Sequence, residues 1–186
     1  IKINSVTKQL IKNPTKLSFS AWVYPENTSG NEFIIAINNS TGSSNRVLWG
    51  RNSATHLIYG AGASQASSRA LSEDSWTHVA LVKNGKEYSF YQNGLYTDTQ
   101  LYTTNDSIVS TDVVSIGQEY DDDPDLDPGN WWQGKIANVR IYNRIISSEE
   151  IESIYNYEKG IKLPIRESLL NHWRMDEGSG STTHDV

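Results

Sequence analysis

The stretch that decides the fold is Trp76-Thr-His-Val-Ala-Leu-Val-Lys-Asn-Gly-Lys-Glu-Tyr-Ser-Phe-Tyr-Gln-Asn-Gly94. Two strand-like segments in it run directly into Asn-Gly pairs. Asn-Gly is the strongest short signal for a hairpin, because both residues accept the positive φ that a type I′ turn demands. The sequence therefore predicts three consecutive antiparallel strands, over residues 76–83, 86–92 and 95–99.

A further strand is encoded by the alternation in Leu17-Ser-Phe-Ser-Ala-Trp-Val23. Leu, Phe, Ala and Val occupy every other position, so they share one face of an extended chain. This pattern is typical of a strand that places one face on a core. Shorter segments of similar character predict strands at residues 33–37, 46–49, 57–59, 113–116 and 135–142.

One helix stands out from this series of strands. Ser147-Ser-Glu-Glu150 matches a capping box, in which a serine and a glutamate satisfy each other's backbone N–H groups. Ile151, Ile154 and Tyr155 then form a short apolar stripe, and Gly160 can end the helix in a left-handed conformation. We therefore predict an all-β protein, a two-sheet antiparallel β-sandwich with one short helix near residues 148–157.

Composition excludes several classes of function. The chain has 186 residues and a formal net charge of −6, without a run of Lys or Arg, so we expect no nucleic-acid partner. Its apolar stretches are too short for a membrane span. It contains no cysteine, which rules out a disulfide scaffold and a thiolate metal site.

Three segments resemble the laminin G-like, concanavalin A-like lectin-glucanase superfamily: Trp76–Ala80, Tyr91–Gly94 and Val139–Arg144. The resemblance covers residues 1–160 and implies that the sandwich is a jelly roll. It does not imply a ligand, because proteins of this fold bind many different molecules. The chain opens within a pattern, at Ile1-Lys-Ile-Asn, so we expect it to be part of a longer protein.

The C-terminal segment departs from the order of the family. Leu169–Gly180 resembles the strand with which such domains open, so residues 161–186 are predicted to be a linker followed by that strand. The strand would complete this domain, start a next repeat or complete a neighbouring molecule. Because one of its faces is largely apolar, we expect it to pack into a sandwich, most simply its own.

The most unusual segment is acidic and lies between residues 117 and 130. Five carboxylates fall within seven residues, at Asp121, Asp122, Asp123, Asp125 and Asp127. Calcium prefers such hard oxygen ligands, so calcium is the expected cofactor, with Asp121, Asp123 and Asp125 as its ligands. The alternative is a solvated acidic turn. Many relatives carry an aspartate near a calcium where this chain has Ala137-Asn138, so we do not place the ion there.

Aromatic residues beside the acidic segment supply the candidate ligand site. Trp131 and Trp132 are adjacent on an extended chain, so one can enter the core while the other faces out. An exposed indole near carboxylates suits the stacking of a sugar ring. The alternative is that both rings cover the edge of the sandwich. Three further aromatic residues complete the predicted ligand site, namely Tyr120, Trp49 and Tyr59, whereas Trp22, Trp76 and Trp173 are expected in the core.

Signatures of an enzyme are missing from the sequence. It has no Gly-x-Ser-x-Gly elbow, no cysteine nucleophile and no glycine-rich phosphate loop, and His78 reads as a structural histidine. A glycoside hydrolase needs paired carboxylates, and no strand supplies a recognisable pair. We therefore expect no catalytic residue, although a hydrolase with an unrecognised pair is the third and weakest reading.

The function predicted from these observations is a non-catalytic, extracellular or cell-surface binding module of a larger protein. Its partners would be glycans or glycoproteins. The alternative is a structural repeat or appendage subunit, as in a fibre, an adhesin stalk or a virion decoration. In that case the terminal strand would bind other copies of the chain.

Overall fold

The computed structural model describes residues 15–26, 30–38, 47–54, 56–59, 65–101, 113–120, 128–158 and 169–173. The strands in these ranges are β1 Lys16–Pro25, β2 Glu32–Asn38, β3 Val47–Arg51, β4 His56–Tyr59, β5 Gln65–Ala70, β6 Thr77–Asn84, β7 Glu87–Gln92, β8 Leu95–Leu101, β9 Val113–Ile116, β10 Glu119–Tyr120, β11 Pro128–Gly129, β12 Gly134–Tyr142 and β13 Leu169–Trp173. The helix is α1, Ser148–Glu158.

The strands form two main antiparallel sheets and one short ribbon. The six-stranded sheet has the spatial order β13-β12-β1-β6-β7-β8, and the five-stranded sheet has the order β5-β4-β3-β2-β9. The ribbon consists of β10 and β11. Together with α1, this architecture confirms the predicted antiparallel sandwich with one short helix over the described part of the chain.

The core lies between the two sheets and begins with the alternation of β1. Its apolar face, Leu17, Phe19, Ala21 and Val23, is fully buried, as predicted. The ring of Phe19 stacks on Trp49 of the opposite sheet, with centroids 5.6 Å apart. Burial of apolar area at about 25 cal/mol per Å² makes this interface the main source of stability.

The two predicted hairpins form, but their turns differ. Asn93 and Gly94 both have positive φ, at 52° and 79°, so the second hairpin has the expected type I′ turn. In the first hairpin Asn84 still pairs with Glu87, and the turn residues are Gly85 and Lys86. Only Gly85 of these two has positive φ, at 61°, which is the pattern of a type II′ turn. The expected Asn-Gly turn there is therefore wrong by one residue.

The helix covers the outer face of the six-stranded sheet. The backbone N–H of Glu150 donates to Ser147 Oγ at 3.3 Å, and that of Ser147 donates to Glu150 Oε2 at 2.7 Å, which confirms the capping box. Ile151 and Ile154 are buried against outward-facing residues of β6, β7 and β12. No helix in the described ranges has the length and apolarity that crossing a membrane requires.

The C-terminal strand β13 lies at the edge of the six-stranded sheet. It pairs antiparallel with β12, with Val139 opposite Trp173 and Arg140 opposite His172. In this structure the strand pairs within its own chain, and the division of the chain into residues 1–160 and 161–186 stays a prediction. Gly160 and the rest of the connection to β13 lie outside the described residues.

Candidate functional site

A concave groove lies at one end of the sandwich, where β2 begins and the chain passes from β11 to β12. Its volume is about 470 Å³. Most of the residues that line it carry polar side chains, and one carries an exposed indole: Gly30, Asn31, Glu32, Asn130, Trp131 and Gln133. We call it the Trp131 groove. Its size lies within the ~300–1,000 Å³ that ligand pockets usually have.

Backbone hydrogen bonds fix the segment that carries the two tryptophans. The N–H of Phe33 donates to the carbonyl of Asn130 at 3.2 Å, and the N–H of Trp132 donates to Gly117 at 2.9 Å. Asn130 adopts a positive φ of 47°, a conformation that asparagine tolerates better than most residues. The groove wall is therefore held on both sides by backbone.

The adjacent tryptophans face opposite ways, as predicted. Trp132 is 8% exposed and packs in the main core, whereas Trp131 is 52% exposed at the groove. Exposing half of an indole leaves apolar area in contact with water, so contact of the Trp131 ring with an apolar ligand face would be favourable. Trp131 is the side chain that most clearly marks this surface for binding.

A buried ion pair forms the back of the groove. Arg51 Nε and Nη2 donate to Glu32 Oε2 at 3.0 and 2.8 Å, and the N–H of Gln133 donates to the same oxygen at 3.0 Å. The two side chains are 0% and 2% exposed. Glu32 Oε1 and Arg51 Nη1 have no hydrogen-bond partner among the residues that the structure describes. One acceptor and one donor are thus unused in a charge-balanced pair.

Electrostatics make the Trp131 groove suitable for a neutral polar ligand. The carboxylate of Glu32 is neutralised by Arg51, whose guanidinium also lies 5.0 Å from the ring centroid of Trp132. Asn31, Asn130 and Gln133 are exposed and add amide donors and acceptors at the rim. Such a surface offers stacking and hydrogen bonding without a net charge at its back.

None of the other four predicted ligand residues is among the described lining residues of the groove. Trp49 is fully buried and stacked on Phe19, so it has no ring face to offer a ligand, and that assignment is corrected. Tyr59 pairs through its backbone with Trp49, and its side chain is not among those that the structure describes. Tyr120 is half-buried in β10, where its hydroxyl accepts a hydrogen bond from the Gln118 amide. The predicted role of Trp132 is likewise corrected, because its ring is in the core.

The predicted calcium ligands Asp121, Asp123 and Asp125 lie outside the described residues. The flanking ribbon is described, with Glu119 opposite Gly129 and Tyr120 opposite Pro128. Among the residues that the structure covers, no group of three or more His, Cys, Asp or Glu side chains could hold a metal ion. Calcium binding by the acidic segment therefore stays a prediction.

His78 lies under the helix, fully buried. Its Nε2 is 3.1 Å from Ser20 Oγ, and its ring contacts Trp22 and Tyr155. Burial, and secondly the positive charge of Arg140, lower the pKa of His78 to about 3. His78 is therefore neutral at physiological pH and enclosed by the fold, which fits the structural role predicted for it.

Trp76, by contrast, is not in the core. It directly precedes β6 and is 44% exposed, with its ring edge-on to Tyr24 at 5.7 Å. The expectation of burial is wrong, because Trp76 precedes β6 and the run of buried residues in that strand begins only at Thr77. Trp22 is half-buried beneath α1, and the side chain of Trp173 is not among those that the structure describes.

Comparison with known families identifies the fold. A laminin G-type family model, described as the concanavalin A-like lectin/glucanases superfamily, matches residues 2–152. The chain belongs to this superfamily. A comparison with curated proteins found no significant match.

Solved structures of similar shape include proteins that bind carbohydrates. A candidate carbohydrate binding protein from Bacteroides ovatus is 16% identical with a TM-score of 0.68, and the match covers 92% of this chain but only 49% of that one. The CBM40 of the Ruminococcus gnavus IT-sialidase, bound to α2,3-sialyllactose, is 14% identical with a TM-score of 0.59, covering 79% of this chain and 86% of that one.

A third similar structure is domain 4 of AbnA, an extracellular GH43 arabinanase from Geobacillus stearothermophilus, in complex with arabinotriose. It is 17% identical with a TM-score of 0.58, and the match covers 77% of this chain and 68% of that one. At such identities these similarities support the superfamily fold alone. The chain spans about half the length of the Bacteroides ovatus protein.

The sequence did not predict four of the residues that line the groove, namely Asn31, Glu32, Asn130 and Gln133. Glu32 and Arg51 are 19 residues apart, and Asn31 is far from Asn130 in the chain, so only the folded sheet brings them together. A weak signal existed in Glu32-Phe-Ile-Ile-Ala-Ile37, where a carboxylate opens an apolar strand. A charge in that position needs a partner when it is buried.

Proposed function

We propose that this chain is a non-catalytic glycan-binding module of a larger extracellular or cell-surface protein. The observation that carries the proposal is the half-exposed indole of Trp131 at the mouth of a groove rimmed by amide side chains. Carbohydrate recognition combines these two elements, since apolar C–H faces of a sugar stack on an aromatic ring while its hydroxyls take hydrogen bonds.

The charges favour a neutral sugar as the ligand. The buried carboxylate of Glu32 is balanced by Arg51, so the back of the groove presents no net charge to a ligand. A charged sugar would bring an uncompensated charge against this pair. The acidic segment that precedes Trp131 in the chain adds negative charge, which disfavours sialic acids and uronic acids.

The groove lacks the means for glycoside hydrolysis within the described residues. Hydrolysis commonly uses two carboxylates about 5–9.5 Å apart, one of them free to exchange a proton. Glu32 is the sole carboxylate among the described lining residues, and three N–H groups bind one of its oxygens. This supports binding without catalysis.

The similar structures support a sugar as the class of ligand and an extracellular location. Two of them are complexes with an oligosaccharide, one belongs to an extracellular arabinanase, and the chain resembles both in fold. The alternative function, a repeat or appendage subunit, would use the terminal strand to bind a neighbour. That strand is paired with β12 of its own chain, which makes the alternative the weaker candidate.

The test is binding of the intact chain to an array of neutral and acidic glycans, followed by titration of the best ligand. Replacement of the indole in Trp131→Ala should weaken binding at least about tenfold, equal to ~1.4 kcal/mol. Leu95→Ala is the control, since Leu95 is also an exposed apolar side chain, at 62%, but lies on β8. Unchanged affinity in Trp131→Ala, or steady release of reducing sugar by the wild type, would contradict the proposal.

A further inference from the structure

A second cavity lies on the outer face of the six-stranded sheet, beside the C-terminal end of α1. Its volume is about 280 Å³, and it is lined by two tryptophans, a buried carboxylate and two residues of β12: Trp22, Trp76, Glu158, Ala137 and Asn138. We call it the Trp76 cavity. None of its described lining residues belongs to the Trp131 groove.

The two indoles form walls of different rigidity. Trp22 stacks on Tyr155, with centroids 5.7 Å apart and planes 20° apart, and its Nε1–H donates to Glu158 Oε2. It is therefore fixed by the helix. Trp76 is 44% exposed and rests edge-on against Tyr24, so nearly half of its surface is available to a ligand.

The backbone at Asn138 is distorted where it meets the cavity. Asn138 has a φ of 52°, inside a strand, next to an irregularity in the pairing of β12 with β1 between Ser20 and Trp22. Bulges of this kind turn a side chain away from the regular alternation and are common beside functional sites. The distortion puts an amide at a cavity that would otherwise be walled by indoles, alanine and one carboxylate.

The floor of the cavity is polar but balanced in charge. Glu158 is 5% exposed and accepts hydrogen bonds from Arg140 Nη1 and Trp22 Nε1, one on each oxygen. Each carboxylate oxygen retains capacity for another donor. Because Arg140 is buried against this carboxylate, a cationic ligand would meet a group whose charge is already compensated.

We propose that the Trp76 cavity is a second binding site, which takes one neutral sugar ring and makes the chain bivalent toward glycans. The proposal rests on the proposed function for the class of ligand, but on different residues. The ring would stack on Trp76 and direct hydroxyls to Glu158 and Asn138. At about 280 Å³ the cavity has room for one ring, whereas the Trp131 groove has room for more.

The experiment follows the indole N–H signals of the six tryptophans by ¹⁵N-correlated NMR. Trp22→Phe, Trp76→Phe and Trp131→Phe assign three signals, and the remaining ones include the buried Trp49 and Trp132, which serve as internal controls for the fold. The probes are methyl glycosides of glucose, galactose and arabinose, titrated into the whole chain, with choline as the cationic comparison.

Two saturable titrations with different midpoints are expected, one at Trp131 and one at Trp76 and Trp22. In Trp76→Ala the shift at Trp22 should disappear while that at Trp131 stays, and Trp131→Ala should give the reverse. If Trp131 responds to a sugar while Trp22 and Trp76 do not, the second site is overturned and the proposed function stands. A response of Trp22 and Trp76 to choline alone overturns the sugar assignment, and no response at any tryptophan contradicts both proposals.

Discussion

His78 is a basic side chain held where a positive charge is disfavoured. Its folded pKa of about 3 lies below the ordinary value of 6.5, so below pH 6.5 the unfolded chain takes up a proton that the folded chain refuses. The free energy of unfolding should therefore fall as the pH drops from about 6.5 toward 3, by at most about 1.4 kcal/mol per pH unit. Urea unfolding at pH 7.5, 6.0 and 5.0 measures how the free energy of unfolding changes with pH.

Variants separate this effect from that of the other titrating groups. His78→Gln should reduce the slope between pH 6.5 and 5, because the replaced side chain no longer binds a proton in the unfolded chain. A hydrogen bond from Ser147 lowers the pKa of Glu149, and one from Arg144 lowers the pKa of Glu150. These two carboxylates therefore affect the free energy of unfolding mainly below pH 5. An unaltered slope in His78→Gln would show that His78 is not the group responsible.

Gly50 of β3 pairs with Phe33 of β2, and the backbone of β2 leaves no space for a side chain there. A Cβ at this position would come within 1.9 Å of the carbonyl oxygen of Glu32 and 2.7 Å of the Cα of Phe33, so backbone would have to move. Gly50→Ala should destabilise the protein by about 1–3 kcal/mol or more, as overpacking does. Gly30→Ala is the control, because nothing lies within 4 Å of its Cβ position. Equal denaturation midpoints for the two variants would refute this close-packing argument.

At the residue scale, the sequence predicts which of two adjacent side chains faces the core. It does not predict contacts between residues that are distant in the chain and meet only in the folded sheet. The opposite directions of Trp131 and Trp132 were predicted from the alternation of an extended chain, and their exposures agree, although both residues lie in the connection between β11 and β12. Trp49 was misassigned because an aromatic residue in a short strand carries no sign of which face is buried. The pair Glu32 and Arg51 was missed because its partners meet only across β2 and β3.

The terminal strand β13 should matter energetically because it covers the edge of β12. Deletion of residues 165–186 removes its backbone pairing and is expected to lower the melting temperature strongly or make the protein insoluble. The sequence predicts that one apolar face of this strand packs into the sandwich, and at about 25 cal/mol per Å² its loss would cost several kcal/mol. Deletion of residues 174–186, which keeps β13, is the matched control. A truncated chain that melts like the full chain would assign the strand to a different repeat.

The segment between β10 and β11 is predicted to bind calcium through Asp121, Asp123 and Asp125. Clustered carboxylates repel one another, and a divalent cation relieves that repulsion. Calcium should therefore raise the melting temperature, increasingly with its concentration, by mass action. Changing all three to Asn should abolish the response. The absence of a shift at millimolar calcium in the wild type would reject the site.

At the scale of elements, turn chemistry and capping were predictable because they are local. The capping box of α1 and the Asn93-Gly94 turn form as their residue types dictate. The turn of the first hairpin was predicted less accurately. Asn84 pairs with Glu87 across the two strands, so the turn is formed by Gly85 and Lys86 and is shifted by one residue. The cavity beside α1 was unpredictable, because Glu158 and Trp22 are 136 residues apart and meet only after the helix packs.

At the scale of the whole molecule, the sandwich is a scaffold that presents two aromatic surfaces of balanced local charge on an acidic protein. The formal net charge of −6 repels anionic ligands at long range, and the buried pairs of Glu32 with Arg51 and of Glu158 with Arg140 avoid attracting cations at short range. Both properties support the proposed preference for neutral glycans. The family fold alone would not have distinguished them from sialylated ones.

The measurement that tests the central claim most directly is a crystal structure of the chain with the neutral oligosaccharide that binds best on the array. We expect a sugar ring stacked on Trp131, with its hydroxyls hydrogen-bonded to the side-chain amides of Asn31, Asn130 or Gln133. A sugar bound elsewhere on the sandwich, with the Trp131 groove left empty at saturating ligand, would contradict it.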